Sequence, residues 1–86
     1  MAKKVENSKK FLVIEASAAE MRAAVGSPGI CDDCCRKSPK GYYVAVLNRW
    51  FCPECYREWL GRAKYYPQDT EIERKNYRYY KKMLRL

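Results

Sequence analysis

Apolar positions along the chain fall into short blocks, and their spacing changes from block to block. Phe11-Leu12-Val13-Ile14 is a four-residue apolar run closed by Glu15 and is read as a strand. Ser17-Ala18-Ala19-Glu20 then has the form of a capping box, and Met21-Arg22-Ala23-Ala24 favours helix up to a stop at Gly26. Phe11, Ile14, Ala18, Met21 and Val25 also fit one continuous helical stripe, but the box in its middle favours strand then helix. Ser27-Pro28-Gly29 is a linker. Lys40-Gly41 opens an extended stretch over Tyr42 to Leu47, with Tyr42, Val44 and Val46 on one face. Asn48-Arg49 suits a two-residue turn, because Asn tolerates the left-handed region, and Trp50-Phe51 returns as the partner strand.

Pro53 suits the first position of a helix whose buried face carries Cys55, Tyr56, Trp59, Leu60 and Ala63. That helix fades near Lys64, ahead of Pro67. Asp69 and Thr70 cap a last helix, with Thr70 and Glu73 as a second capping box. On its wheel Arg74, Lys75, Arg78, Lys81, Lys82 and Arg85 share an arc about a third of the circumference wide. Ile72, Tyr77, Tyr79, Tyr80, Met83, Leu84 and Leu86 take the other side; in the alternative where the basic arc is only a solvated face, the helix packs through Ile72, Tyr79 and Met83. The expected organisation is one α+β domain over 1–86. It has a flexible basic N-terminus (1–10), a strand plus short helix (11–26), a metal-binding core (30–66) and an amphipathic basic helix (69–86).

Cysteine spacing adds the chemistry. Cys31-Asp32-Asp33-Cys34 and Cys52-Pro53-Glu54-Cys55 are two C-x-x-C pairs separated by 17 residues. Paired thiolates three residues apart converge on one ion across a tight turn, and two such pairs close a tetrahedral, all-thiolate zinc site. The expected cofactor is one structural Zn²⁺ held by Cys31, Cys34, Cys52 and Cys55. A full thiolate shell leaves no open position for catalysis. Cys35 is the odd thiol: it can replace Cys34 as a ligand or stand beside the knuckle unligated. An odd cysteine count argues against a disulfide framework and for a reducing, intracellular, cytoplasmic setting. Redox use of Cys-Pro-Glu-Cys is disfavoured, since such dithiols open their fold and few residues follow Cys55 here.

The 86 residues include no His, which removes Ser/His and Cys/His dyads. With no nucleophile–base set and no open metal site, no enzyme and no small-molecule substrate are expected. No apolar run approaches a membrane span, and Phe11–Ile14 is too short for a secretory leader. Charge points elsewhere: 18 Lys and Arg against 10 Asp and Glu give +8. A zinc tetrathiolate, itself about −2, leaves the chain basic.

The order knuckle, hairpin, knuckle, helix resembles the treble-clef zinc fold. The ligand spacing is similar to GATA-type DNA-binding fingers, to DksA/TraR-type RNA-polymerase-binding proteins and to half of a LIM domain, over about residues 30–64. Only the ligand role carries over, to Cys31, Cys34, Cys52 and Cys55. Pro53 and Tyr56 stand where GATA fingers favour Asn and Gly, and Cys52 stands where LIM modules typically place His. The GATA resemblance implies a basic tail on DNA; the other two imply a protein partner.

Two functional expectations follow. In the first, the module binds nucleic acid, DNA or RNA, with low sequence specificity. Its contacts are Arg74, Lys75, Arg78, Lys81, Lys82 and Arg85 of the last helix, with Arg36, Lys37, Lys40 and Arg49 of the knuckle and hairpin. In the second, a tyrosine-rich surface of Tyr42, Tyr43, Tyr65 and Tyr66 binds a protein, as an adaptor or regulator. Partial core with the hydroxyl wet is the commoner role for such tyrosines. Acids at the start of the last helix and bases toward its end also suit the macrodipole without any ligand.

Overall fold

A computed structural model of the protein describes residues 2–86. Four strands, β1 (Lys3–Val5), β2 (Val13–Ser17), β3 (Lys40–Val44) and β4 (Arg49–Phe51), form one antiparallel sheet in the order β1-β2-β3-β4. Helix α1 (Ala18–Val25) follows β2, α2 (Pro53–Arg62) follows β4, and a 3₁₀ turn over Pro67–Asp69 leads into α3 (Thr70–Met83). None of these helices is long and apolar enough to cross a membrane.

The central strands carry adjacent apolar pairs because both faces of the sheet are covered. Ile14, Ala16, Tyr43, Ala45 and Trp50 face one side, where they meet Met21 of α1 and Tyr77, Tyr80 and Leu84 of α3. Val13, Val44 and Phe51 face the other, with Phe11, Cys31 and the Cys55, Tyr56 and Trp59 side of α2. Gly41 is required by the first layer. A Cβ there would lie 2.6 Å from the Trp50 indole and against the Phe51 carbonyl. The indole Nε1–H is thereby free to donate to the Ala16 carbonyl (3.2 Å).

The capping box of α1 forms as expected. Glu20 N–H donates to Ser17 Oγ (3.0 Å), Ser17 N–H donates to Glu20 Oε1 (2.9 Å), and Gly26 closes the helix at φ 72°. The strand before it starts at Val13, because Phe11 belongs to a turn. There Asn7 Oδ1 accepts from the N–H groups of Lys9 and Phe11, and Asn7 Nδ2 donates to the Phe11 carbonyl.

Four further expectations are corrected. The segment 1–10, read as flexible, contains β1, which pairs with β2 in the register Lys4 opposite Ile14. Its lysines face solvent, as suits a sheet edge, and Lys9 Nζ donates to the Ala63 carbonyl at the end of α2 (2.7 Å). Met1 lies outside the described residues.

The hairpin turn is four residues, not two, since Val44 pairs with Arg49. Asn48 does adopt the left-handed conformation (φ 54°). Ala45, however, is drawn into the core, where its N–H donates to the Leu12 carbonyl and its carbonyl accepts from Asn76 Nδ2.

Helix α3 packs through Asn76, Tyr77, Tyr80, Leu84 and the buried Glu73, leaving Ile72, Tyr79 and Met83 exposed. Glu73 closes no capping box. Its Oε2 accepts from Leu12 N–H (3.0 Å) and its Oε1 from the Tyr65 hydroxyl (3.1 Å), tying α3 to the start of β2.

Candidate metal centre

Each cysteine pair sits on a different local scaffold. Ile30 and Lys37 form an isolated antiparallel bridge, and Cys31 N–H donates to the Arg36 carbonyl (3.0 Å), so residues 30–37 make a small hairpin. Within it Cys35 N–H donates to the Cys31 carbonyl (3.0 Å) and Asp33 N–H to Cys31 Sγ (3.4 Å). The second pair opens α2. Cys52 is the N-cap, Pro53 occupies the first turn and Cys55 lies one turn in. The positive end of the helix dipole therefore faces sulfur, a favourable place for thiolate.

Asp32 joins the two scaffolds. Its N–H donates to the Trp50 carbonyl (2.9 Å), and its Oδ2 accepts from Trp50 N–H (2.8 Å). The first knuckle is thus fixed to the strand that delivers Cys52. An Asx-type residue inside a C-x-x-C pair is the only sequence signal of that clamp.

The four sulfurs of Cys31, Cys34, Cys52 and Cys55 all lie within 4.8 Å of one another. A tetrahedron with metal–sulfur bonds of ~2.3 Å has sulfur–sulfur edges of ~3.8 Å. Cys34 Sγ and Cys52 Sγ are already 3.8 Å apart. All five cysteines are free thiols, and Cys31 and Cys55 are buried. Four cysteines are therefore positioned to bind a metal ion.

Cys35 is outside this group. It is exposed, and its left-handed conformation (φ 63°) turns the chain away after Cys34. Of the two adjacent cysteines, Cys34 is thus the one that joins the cluster.

Electrostatics within the cluster are uneven. The Cys34 thiol is drawn down to about 6, chiefly by the Arg36 backbone N–H, helped by the Arg36 guanidinium and the neighbouring thiols. Arg36 is raised in turn by Cys34. Burial pushes the Cys55 thiol far up, reinforced by the surrounding cysteines. The cluster favours one thiolate at Cys34 and resists ionising Cys55 beside it. A cation at its centre removes that conflict. Sulfur-only donors at tetrahedral spacing suit zinc, which has no geometric demand of its own.

The other predicted residues are scattered. Arg74, Lys75, Arg78, Lys81, Lys82 and Arg85 are all exposed along α3 and its end. Arg36 faces the thiolates, Lys37 shares a groove with Arg22, Lys40 opens β3 beside Ser17, and Arg49 lies at the far end of the hairpin opposite Val44. The tyrosine surface expected from Tyr42, Tyr43, Tyr65 and Tyr66 does not assemble. Tyr43 is 1% exposed and stacks on Tyr80 (3.7 Å between centroids), while Tyr42 stacks on Tyr56 (4.4 Å). Tyr65 packs on Phe11 and shares a hydrogen bond with Thr70, leaving Tyr66 well exposed. Alternation along β3 explains this: neighbouring rings go to opposite, covered faces.

Comparisons with protein-family models, with curated proteins and with solved structures find no match, so the chemistry of this site and of the surfaces around it carries the functional reading.

Proposed function

We propose that this chain is a small structural-zinc module of treble-clef type that binds nucleic acid through the basic arc of α3, with low sequence specificity. The zinc is held by Cys31, Cys34, Cys52 and Cys55 and is closed to substrate. Its role is to hold the knuckle, β4 and α2 together.

One observation carries the nucleic-acid reading. The bases of α3 stand on one exposed arc, and among the described residues none of them lies within ion-pair distance of an acid. The acids near the helix sit in its first turn, where the dipole favours them: Glu71 and the buried Glu73. A row of unpaired cations is the electrostatic footprint of a phosphate-binding surface.

The test is fluorescence anisotropy of labelled DNA and RNA with the zinc-loaded chain at 50 and 200 mM salt. Six phosphate contacts give a salt slope of about −5, a loss of roughly a thousandfold in affinity across that range. The double charge reversal Arg78→Glu, Lys82→Glu should reduce that slope by about two or more. No binding at 50 mM would overturn the proposal.

A further inference from the structure

We infer that α3 is a platform for single-stranded nucleic acid, with phosphates on its basic row and unstacked bases on the apolar ridge beside it. This rests on the nucleic-acid reading above and names the form of ligand.

The ridge is the part of α3 that the core does not use. Ile72 (53% exposed), Tyr79 (55%) and Met83 (36%) recur at seven- and four-residue spacing on one stripe, and Leu86, just past the end of the helix, is exposed as well (40%). They are four of the seven large hydrophobics exposed among the described residues. At 1.5 Å per residue the stripe from Ile72 to Met83 is about 16 Å long. Lys75, Arg78 and Lys82 form the adjacent row, so apolar and cationic positions run side by side along the same helix.

Tyr79 is fixed in place. Its ring meets Tyr80 edge-on (5.4 Å, 70°), and Tyr80 stacks on the buried Tyr43 (3.7 Å, 18°). Tyr43 in turn donates its hydroxyl to Asn48 Oδ1 (2.7 Å). A ladder of three rings therefore leads from the sheet to the exposed surface. A pre-positioned ring loses little freedom when a base stacks on it.

The end of α3 is organised in the same direction. Arg85 N–H donates to the Lys82 carbonyl (3.2 Å) and Leu86 N–H to the Lys81 carbonyl (2.9 Å), a Schellman closure. The left-handed position of that closure (φ 59°) is usually glycine, yet here it is Arg85. The closure ends the helix at a backbone cost that glycine would not incur and leaves Arg85 exposed, in a groove it shares with Lys82 and with Glu20 of α1.

Charge complementarity selects a polyanion, and the ridge selects its form. A duplex hides base faces in its own stack and offers the ridge nothing apolar. A single strand exposes those faces, and stacking on them is indifferent to sequence.

The experiment compares a labelled 12-nucleotide single strand, DNA and RNA, with a 12-base-pair duplex, using the zinc-loaded full chain. Single strands should bind at least about tenfold more tightly than the duplex. Tyr79→Ala should weaken single-strand binding by about tenfold and leave duplex binding unchanged, while Tyr79→Phe restores it. Arg85→Gly should weaken binding severalfold while the thermal midpoint holds or rises, because glycine relieves the left-handed strain. A lowered midpoint with unchanged affinity would make Arg85 purely structural and overturn its part in the platform. Equal or tighter duplex binding, with Tyr79→Ala silent, would overturn the platform and leave the basic-arc reading standing. Absence of binding to either form at 50 mM would overturn both.

Discussion

Removing the metal should unfold the chain, and the size of the effect follows from the site. A structural zinc contributes about 10–16 kcal/mol of apparent folding free energy. A domain of this length has about 4–13 kcal/mol in total, taking roughly 0.05–0.15 kcal/mol per residue. The metal term is thus as large as the whole margin. It acts on the face of the sheet where Cys31 and Cys55 pack with Phe11, Val13, Val44 and Phe51. Without a cation, thiols confined within 4.8 Å of one another must stay protonated or repel.

Two readouts check this. The near-ultraviolet circular dichroism of Trp50 and Trp59, one on each face of the sheet, should collapse on chelation and return with one equivalent of zinc. The count of thiols reacting rapidly with a disulfide reagent should rise from one per chain to five, because Cys35 alone is exposed and outside the cluster. A zinc-free chain that kept its aromatic signal would refute the reasoning. So would a loaded chain with two fast thiols, since that would put a second cysteine outside the metal shell.

Two further perturbations probe the supports of the site. Arg36→Ala should move acid release of zinc to higher pH, followed with a colorimetric chelator. Cys34 is depressed to about 6, so its thiolate is stabilised above that value and lost as pH falls through it. Removing the guanidinium takes away part of the depression and lets protons compete earlier, and an unchanged midpoint would show that Arg36 does nothing for the thiolate. Glu73→Ala should cost about 1–3 kcal/mol in denaturant unfolding of the zinc-loaded chain, since Leu12 N–H loses its acceptor while the Tyr65 hydroxyl keeps Thr70 as a partner. A loss under ~0.5 kcal/mol would mean that water replaces the carboxylate freely.

The parts legible in the sequence are those governed by neighbours along the chain. The C-x-x-C pairs, the Ser17–Glu20 capping box, Pro53 at the start of α2 and the left-handed Asn48 all follow from local geometry, and each is found where the pattern puts it. The illegible parts depend on distant partners. Lys3-Lys4-Val5 has almost no apolar signal, and it is a strand because β2 offers it an edge. The α3 wheel separates bases from apolar residues, but seven apolar positions exceed what one docked face can use. The sheet takes Tyr77, Tyr80 and Leu84 and leaves Ile72, Tyr79 and Met83 outside. Glu73 fits a capping box by spacing alone, but the Leu12 N–H, 61 positions away, claims its carboxylate.

The four-cysteine cluster and α3 lie on opposite faces of the sheet, yet the same strands serve both. Val44 faces the metal side and Tyr43 the α3 side; Phe51 and Trp50 divide in the same way. Asp32 grips both the N–H and the carbonyl of Trp50, so the knuckle that holds Cys31 and Cys34 also fixes the strand beneath the other layer. Helix α3 is held mainly by side chains: the Tyr80 stack, the Asn76 amide on Ala45 and the Glu73 carboxylate on Leu12. Its basic arc and its apolar ridge of Ile72, Tyr79 and Met83 are left exposed on the side away from these contacts. The four-cysteine cluster is tied through Asp32 and Trp50 to the strands on which that presentation depends. In the proposed function, its contribution would be the rigidity of a surface that lies across the sheet from it.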